Sequence, residues 1–184
     1  MSNSIELKFK FNDLKHEGSF LAFRLEGDQK SIEERKKNLA KELELNKLKT
    51  STLDIHQSIL FWQKVNNLEL FKNTKNNILR AVVPLSNNKK LMKYLKNKYK
   101  YYIDWSGSLF WIEVADKDEM KIKEIKKFIL EIDGYLAVIK RSENFSFHES
   151  LFTINENRLF ISKKIKESFD PKRIFNPGKM YREI

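Results

Sequence analysis

Few of the 184 residues are of types that do chemistry alone. The three histidines are His16, His56 and His148, and none lies three or four positions from another, so no pair of them spans a helical turn as metal ligands do. His148 is the most suggestive, beside Glu149 in a loop rich in phenylalanine. There is no cysteine, hence no thiolate nucleophile, disulfide or Cys-ligated metal. No Gly-x-Ser-x-Gly, P-loop or Gly-x-Gly-x-x-Gly pattern occurs. Gly18, Gly27, Gly107, Gly134 and Gly178 are all isolated. A dinucleotide needs several backbone N–H groups close to its pyrophosphate, which glycine-rich turns usually supply. This chain is therefore not expected to grip such a group by itself.

Two stretches carry more information. The first is Phe169-Asp170-Pro171-Lys172-Arg173-Ile174-Phe175-Asn176-Pro177-Gly178-Lys179-Met180-Tyr181. Pro171 disfavours the α conformation at Asp170 and has no N–H to donate, so a helix carrying Ile161, Ile165 and Phe169 must stop there. Asn176-Pro177-Gly178 reads as a tight turn, with Pro177 fixing φ and Gly178 free to take positive φ. Ile174 and Phe175 are apolar anchors between the two breaks. Helix, stop, anchor and rigid turn together describe a docking tail. The second stretch is the aromatic pair of segments Tyr101-Tyr102-Ile103-Asp104-Trp105 and Phe110-Trp111. On a ferredoxin-like sheet such residues can stack single-stranded RNA. The Gly-Phe/Tyr-Gly/Ala-Phe consensus of that use is missing, and Tyr102/Trp105 and Phe110/Trp111 are expected to fill two faces of a covered sheet.

Composition sets the bounds. The length suits one ordinary domain with a real core, and 41% hydrophobic residues with fourteen phenylalanines exclude a disordered chain. The net charge of +11 invites a nucleic-acid partner. Lysine far outnumbers arginine and is spread through every segment, whereas phosphates and bases are read bidentately by arginine, so a nucleic-acid role is not favoured. The N-terminus lacks the apolar core of a signal peptide, and no apolar run approaches the ~20 residues of a membrane span. Both fit a cytoplasmic location.

The elements follow from periodicity. Short strands are expected at Leu7–Phe11 and Phe20–Gly27. Ser31-x-x-Glu34 has the form of a capping box and opens a helix to about Leu45, with Ile32, Leu39 and Leu43 inward. A second helix runs Leu53–Leu68 on a stripe of Ile55, Ile59, Trp62 and Asn66, followed by a loop to Asn77. Ile78–Val83 is a strand stopped by Pro84. Ser86 caps a helix through Lys98 that uses Leu91, Met92 and Leu95. Tyr101–Trp105 and Leu109–Val114 form a hairpin about Ser106-Gly107-Ser108. A helix from Asp116 or Asp118 to Asp133 carries Ile122, Ile125, Ile129 and Ile132, with Gly134 as its C-cap, and Tyr135–Ile139 closes the set. From Ile78 to Ile139 the order is β-α-β-β-α-β. The expected class is α+β, a ferredoxin-like antiparallel sheet with helices on one face. A division into residues 1–150 as this domain and 151–184 as a C-terminal helix with the Asn-Pro-Gly tail is expected.

The tail resembles the C-terminal signature of FAD-linked oxidases of the vanillyl-alcohol oxidase type. Its ending, Phe175 to Tyr181, is most similar to one family among them, the FAD-binding component of glycolate oxidase. Phe23-Arg24-Leu25-Glu26-Gly27, Phe61-Trp62, Ile78 to Pro84, and Ile103-Asp104-Trp105-Ser106-Gly107-Ser108-Leu109-Phe110-Trp111 resemble further stretches of that family, in order, over nearly the whole chain. The hairpin departs from it, with Ser106 and Ser108 where the family has glycines. The resemblance implies the C-terminal part of a flavoprotein subunit that lacks the FAD-binding domain. The complex would oxidise glycolate to glyoxylate with FAD held mainly by another domain. The implied partners are the other glycolate oxidase subunits, an FAD-bearing chain or FAD-binding half and an iron–sulfur chain. The implied location is the cytoplasm, or the periphery of the inner membrane through that complex. Asn176, Pro177, Gly178 and Lys179 are the cofactor-binding residues it implies, near the flavin or the domain junction. It places no catalytic base and no carboxylate-binding arginine. The alternative class is a basic ferredoxin-like module that binds RNA or a protein partner.

Overall fold

The computed structural model describes residues 20–47, 50–143, 145, 150–179, 181 and 184. Expectations on Leu7–Phe11, His16 and His148 lie outside these. Two compact units divide at Lys72 and Asn73.

In the first unit, Phe20–Gly27 is irregular and not a strand, with Leu21 and Phe23 exposed. An apolar run forms a strand only with a partner to bond, and among the described residues none pairs it. Helix α1 spans Gln29–Leu45. Its N-cap is Asp28, whose carboxylate accepts from the Ser31 N–H at 3.0 Å, so the capping residue lies three positions before the predicted one. Helix α2 spans Ile55–Asn66 and does carry a capping box: Asp54 accepts from the Gln57 N–H, and the Gln57 side chain accepts from the Asp54 N–H. Its buried residue is Phe61, packed edge-on to Phe20 and Trp62, while Ile55 and Ile59 point to solvent. Phe61, expected with Trp62 to thicken the inward face, is thus the residue that turns in, while the isoleucines of that face turn out.

The second unit holds the α+β core. Strands β1 (Asn77–Val82), β2 (Lys100–Asp104), β3 (Leu109–Val114) and β4 (Tyr135–Lys140) form one antiparallel sheet in the order β2-β3-β1-β4. Helices α3 (Asn88–Leu95) and α4 (Glu119–Glu131) are the crossovers. This is the ferredoxin-like arrangement. Side chains alternate across a strand, and Leu79, Ala81, Phe110, Ile112, Val114, Leu136 and Val138 pack with Leu91 and Leu95 of α3 and Ile122, Ile125 and Ile129 of α4. All four predicted isoleucines from 122 to 132 are buried. Met92 is not inward as predicted. Tyr94 bridges the helices instead, stacked on Phe128 at 4.2 Å between centroids. α3 enters through a 3-10 turn, Leu85–Asn87, without a Ser86 cap, and ends at Leu95 rather than Lys98.

A polar staple fixes the start of β1. Glu113 accepts from Thr74 Oγ1 and Asn76 Nδ2, and lies 3.4 Å from Lys100 Nζ. Burial alone would push the Glu113 carboxyl up, but the hydrogen bonds of Thr74 and Asn76 and the Lys100 charge together carry it below the ordinary range. At the other end, Gly134 donates to the Ile129 carbonyl at 2.8 Å. The left-handed residue there is Asp133, with φ 56°, so Gly134 is needed for space rather than for its φ. A Cβ on it would sit 2.8 Å from Val83 Cγ1, 2.9 Å from Ile129 Cγ2 and 3.0 Å from the Val82 carbonyl oxygen. Gly134→Ala is expected to destabilise the fold by about 1–3 kcal/mol through overpacking. Urea denaturation followed by circular dichroism measures this, and an unchanged midpoint would show that the helix end relaxes freely.

Candidate functional site

The sheet face opposite α3 and α4 carries the chemistry. Alternation places Arg80 there on β1, Trp111 on β3, Tyr102 on β2 and Tyr135 on β4. Arg80 is paired across the ladder with Trp111 on one side and Ala137 on the other. Tyr102 lies opposite Trp111, and their rings stack at 6.4 Å. Burial, then the Asp104 charge, pushes the Tyr102 hydroxyl far above the ordinary phenol range.

The hairpin turn brings another aromatic. Asp104 accepts from the Trp105 N–H at 2.7 Å, and Trp105, Ser106 and Gly107 all take positive φ, 49°, 53° and 104°. This tight left-handed turn ends β2 one residue earlier than predicted. It frees Trp105, which is 57% exposed instead of filling a covered face. Its ring lies under the Arg80 guanidinium, 4.9 Å from the centroid. Phe110 does fill the covered face, fully buried among the helices.

Arg80 is half-buried, and among the described residues no carboxylate lies within ion-pairing distance of it. A half-buried guanidinium stacked on one ring keeps its N–H fork for a planar anion, and the partly desolvated setting strengthens that attraction. Reading the sequence misses Arg80, because a strand of mostly apolar residues hides one cation. The signal available is its position: an arginine at an outward-alternating site of a strand, flanked by residues of the core.

The C-terminal tail returns to this same face. Phe152 pairs antiparallel with Ala137 on the outer edge of β4, held by Val138 N–H to Leu151 O and Thr153 N–H to Leu136 O, each at 2.9 Å. Its ring stacks on Tyr135 at 6.4 Å and meets Tyr181 edge-on at 6.2 Å. Burial raises the Tyr135 hydroxyl, Tyr181 adds to this, and the Arg80 charge opposes both. Tyr181 therefore ties the tail to Phe152, whose ring stacks on Tyr135.

Between them runs helix α5 (Glu156–Phe169), capped by Asn155, which accepts from the Arg158 N–H at 2.9 Å. It stops at Asp170-Pro171 as predicted. The buried Asp170 carboxylate then accepts from the N–H groups of Ile174 and Phe175, both at 2.9 Å, and pairs with Lys166 at 2.6 Å. Lys166 also donates to the Phe175 carbonyl. The Lys166 ammonium first, then the N–H groups of Phe175 and Ile174, hold the Asp170 carboxyl down at about 2 against the opposite pull of burial. This clamp shapes the turn that follows.

Asn176, Pro177, Gly178 and Lys179 are all exposed, with φ of 47° at Asn176 and 68° at Gly178. The Gly178 N–H donates to the Ile184 carbonyl at 2.6 Å and the Lys179 N–H to the Asn176 carbonyl at 3.3 Å. Two of the four amides are thus bonded internally and Pro177 has none, so the turn offers little of the free N–H cradle that a pyrophosphate needs. The Asn176 and Lys179 side chains are what the turn offers outward. His56 is exposed on the first turn of α2, in the first unit. Among the described residues no group of three or more His, Cys, Asp or Glu could hold a metal, and no helix is long and apolar enough to cross a membrane.

No protein-family model, curated protein or solved structure matches the chain.

The clamp has a pH signature. The folded tail holds Asp170 at about 2, below the roughly 3.9 of an unfolded aspartate, so its stabilising effect is complete above about pH 4 and is lost as the pH falls through about 2. Amide exchange at Ile174 and Phe175 is expected to stay slow at pH 3 in the native chain. In Asp170→Asn it should be about tenfold faster even at pH 7, where one hydrogen-bond acceptor is lost. Equal exchange in the two proteins would mean that the tail is held by something else.

Proposed function

We propose that this chain is the C-terminal module of an FAD-linked oxidoreductase of the glycolate oxidase kind, and that Arg80 receives the carboxylate of the 2-hydroxy acid. One observation carries the reading: Arg80, half-buried and without a carboxylate partner among the described residues, lies on Trp105 on the sheet face to which Tyr181 ties the Asn176-Pro177-Gly178 turn. Three of the five stretches that carry the family resemblance lie here: the Ile78–Pro84 strand that holds Arg80, the Asp104-Trp105 hairpin and the tail.

The division of labour follows from the residues. The Gly178 and Lys179 amides are used internally, so the flavin's phosphates would belong to a partner polypeptide. Bound there, the flavin would accept the hydride lost when glycolate becomes glyoxylate. This chain would supply recognition. Arg80 can hold a carboxylate bidentately, with Trp105 fixing the guanidinium plane. Tyr102, Trp111 and Tyr135 border it with aromatic surface that keeps the local dielectric low. Asn176 and Lys179 would stand at the junction with the flavin-bearing partner. The net positive charge would draw an anionic substrate toward the face.

The test uses the tagged chain purified from its native cells together with whatever assembles on it. A flavin absorption band and glycolate-dependent dye reduction are expected. Arg80→Lys should raise the KM for glycolate about tenfold or more, since a point charge replaces a bidentate fork, with flavin content unchanged. Asn176→Ala should lower flavin content instead. A preparation free of flavin overturns the reading. A nucleic-acid absorption shoulder that disappears at high salt would replace it with the basic binding-module alternative.

A further inference from the structure

Helix α5 turns apolar side chains toward solvent. Its less exposed side carries Leu159, Ser162, Lys163 and Lys166, whereas the four-residue series Ile161, Ile165 and Phe169 faces outward, 56%, 54% and 85% exposed. Beyond the helix end, Ile174 and Phe175 are also about two-thirds exposed, and the Asp170 clamp holds their backbone. Single exposed apolar side chains are ordinary, but three on one helix face followed by two more on a clamped turn mark a contact surface.

The charges around the stripe say what covers it. Arg158, Lys172 and Arg173 border it, and none has a carboxylate partner among the described residues. Two copies of the chain placed stripe to stripe would bring like charges together, which costs affinity. We infer that α5 and the Ile174–Phe175 tail form a docking face for a different protein, one presenting an apolar groove bordered by aspartates or glutamates. Helix-in-groove binding reads residues at this spacing as anchors. The clamp adds to it by ordering the last two anchors before binding, which lowers the entropic cost of association. This surface needs no flavin and stands apart from the assignment of Arg80.

Photo-crosslinking tests it. Benzoylphenylalanine replaces Ile165 in the tagged full chain in its native cells, and Met120, an exposed residue on α4, serves as the control position. Ile165 is expected to give an adduct that Met120 does not, and the linked peptide should come from another protein and be apolar with flanking carboxylates. The pair Lys172→Glu and Arg173→Glu, both exposed positions, should cut the adduct about tenfold without changing the circular dichroism spectrum. Equal adducts at both positions, an adduct to a second copy of this chain, or indifference to the charge reversal would overturn the inference. An adduct in a complex free of flavin would keep the docking face and sink the flavoprotein reading. A flavin-containing complex with no adduct at Ile165 would do the reverse.

Discussion

Strand β1 is hydrogen-bonded on both edges, antiparallel to β3 on one side and to β4 on the other. Its register therefore decides what both faces of the sheet contain. In the observed register Leu79 and Ala81 enter the helix-covered core, and Arg80 between them faces the opposite way, across from Trp111. A slip of one residue would exchange the faces, placing a guanidinium among Leu91, Ile125 and Ile129. Burying that charge without a partner costs several kcal/mol or more, so the hydrophobic pattern that builds the core also aims the arginine. The polar staple of Thr74, Asn76 and Glu113 pins the register at one end of β1, and the close approach at Gly134 pins β4 and α4 at the other.

The tail depends on that sheet in turn. Tyr181 finds Phe152 only because residues 151 to 153 bond the free edge of β4. An edge strand is a hazard unless covered or paired, and this short extension covers it. The same pairing places Phe152 over Tyr135, the residue that borders Arg80. Edge protection and site construction thus share one set of hydrogen bonds. The Asp170 clamp is the second constraint on the tail. A carboxylate that accepts two consecutive backbone N–H groups and faces an ammonium leaves little freedom to the residues it holds.

Much of this is legible in residue order. The β-α-β-β-α-β succession emerges from Ile78 to Ile139 because each element there is amphipathic with a clear period, as Ile122, Ile125, Ile129 and Ile132 show. The Asp170-Pro171 stop is legible because it is a local steric effect. Expectations fail where the partner decides. Phe20–Gly27 is strand-like in composition but pairs with no described strand. In α2, Phe61 displaces Ile55 and Ile59 from the interior, since periodicity weighs apolar residues nearly alike while packing favours the large ring. Ser31 gives way to Asp28 as a cap because both lie within one turn, and the helix begins wherever the first carboxylate can reach an N–H. The tail residues Asn176 to Lys179 stand out in the sequence, yet their internal amide bonds to Ile184 and Asn176 belong to tertiary structure. Arg80 is invisible for the same reason: nothing local to it announces that no nearby carboxylate will answer it.

The excess of positive charge has to be read residue by residue. Some lysines are paired on the surface within a helical turn, as in Lys72–Glu69, Lys121–Asp118 and Lys164–Glu167, contacts of little energetic weight. Lys100 and Lys166 are different, each set against a carboxylate that lies largely out of water. Arg80 differs again, since its neighbours are rings. A cation left without a carboxylate inside an aromatic frame is stabilised only weakly by the frame, about 0.5–2 kcal/mol, and gains more from an anion arriving from outside.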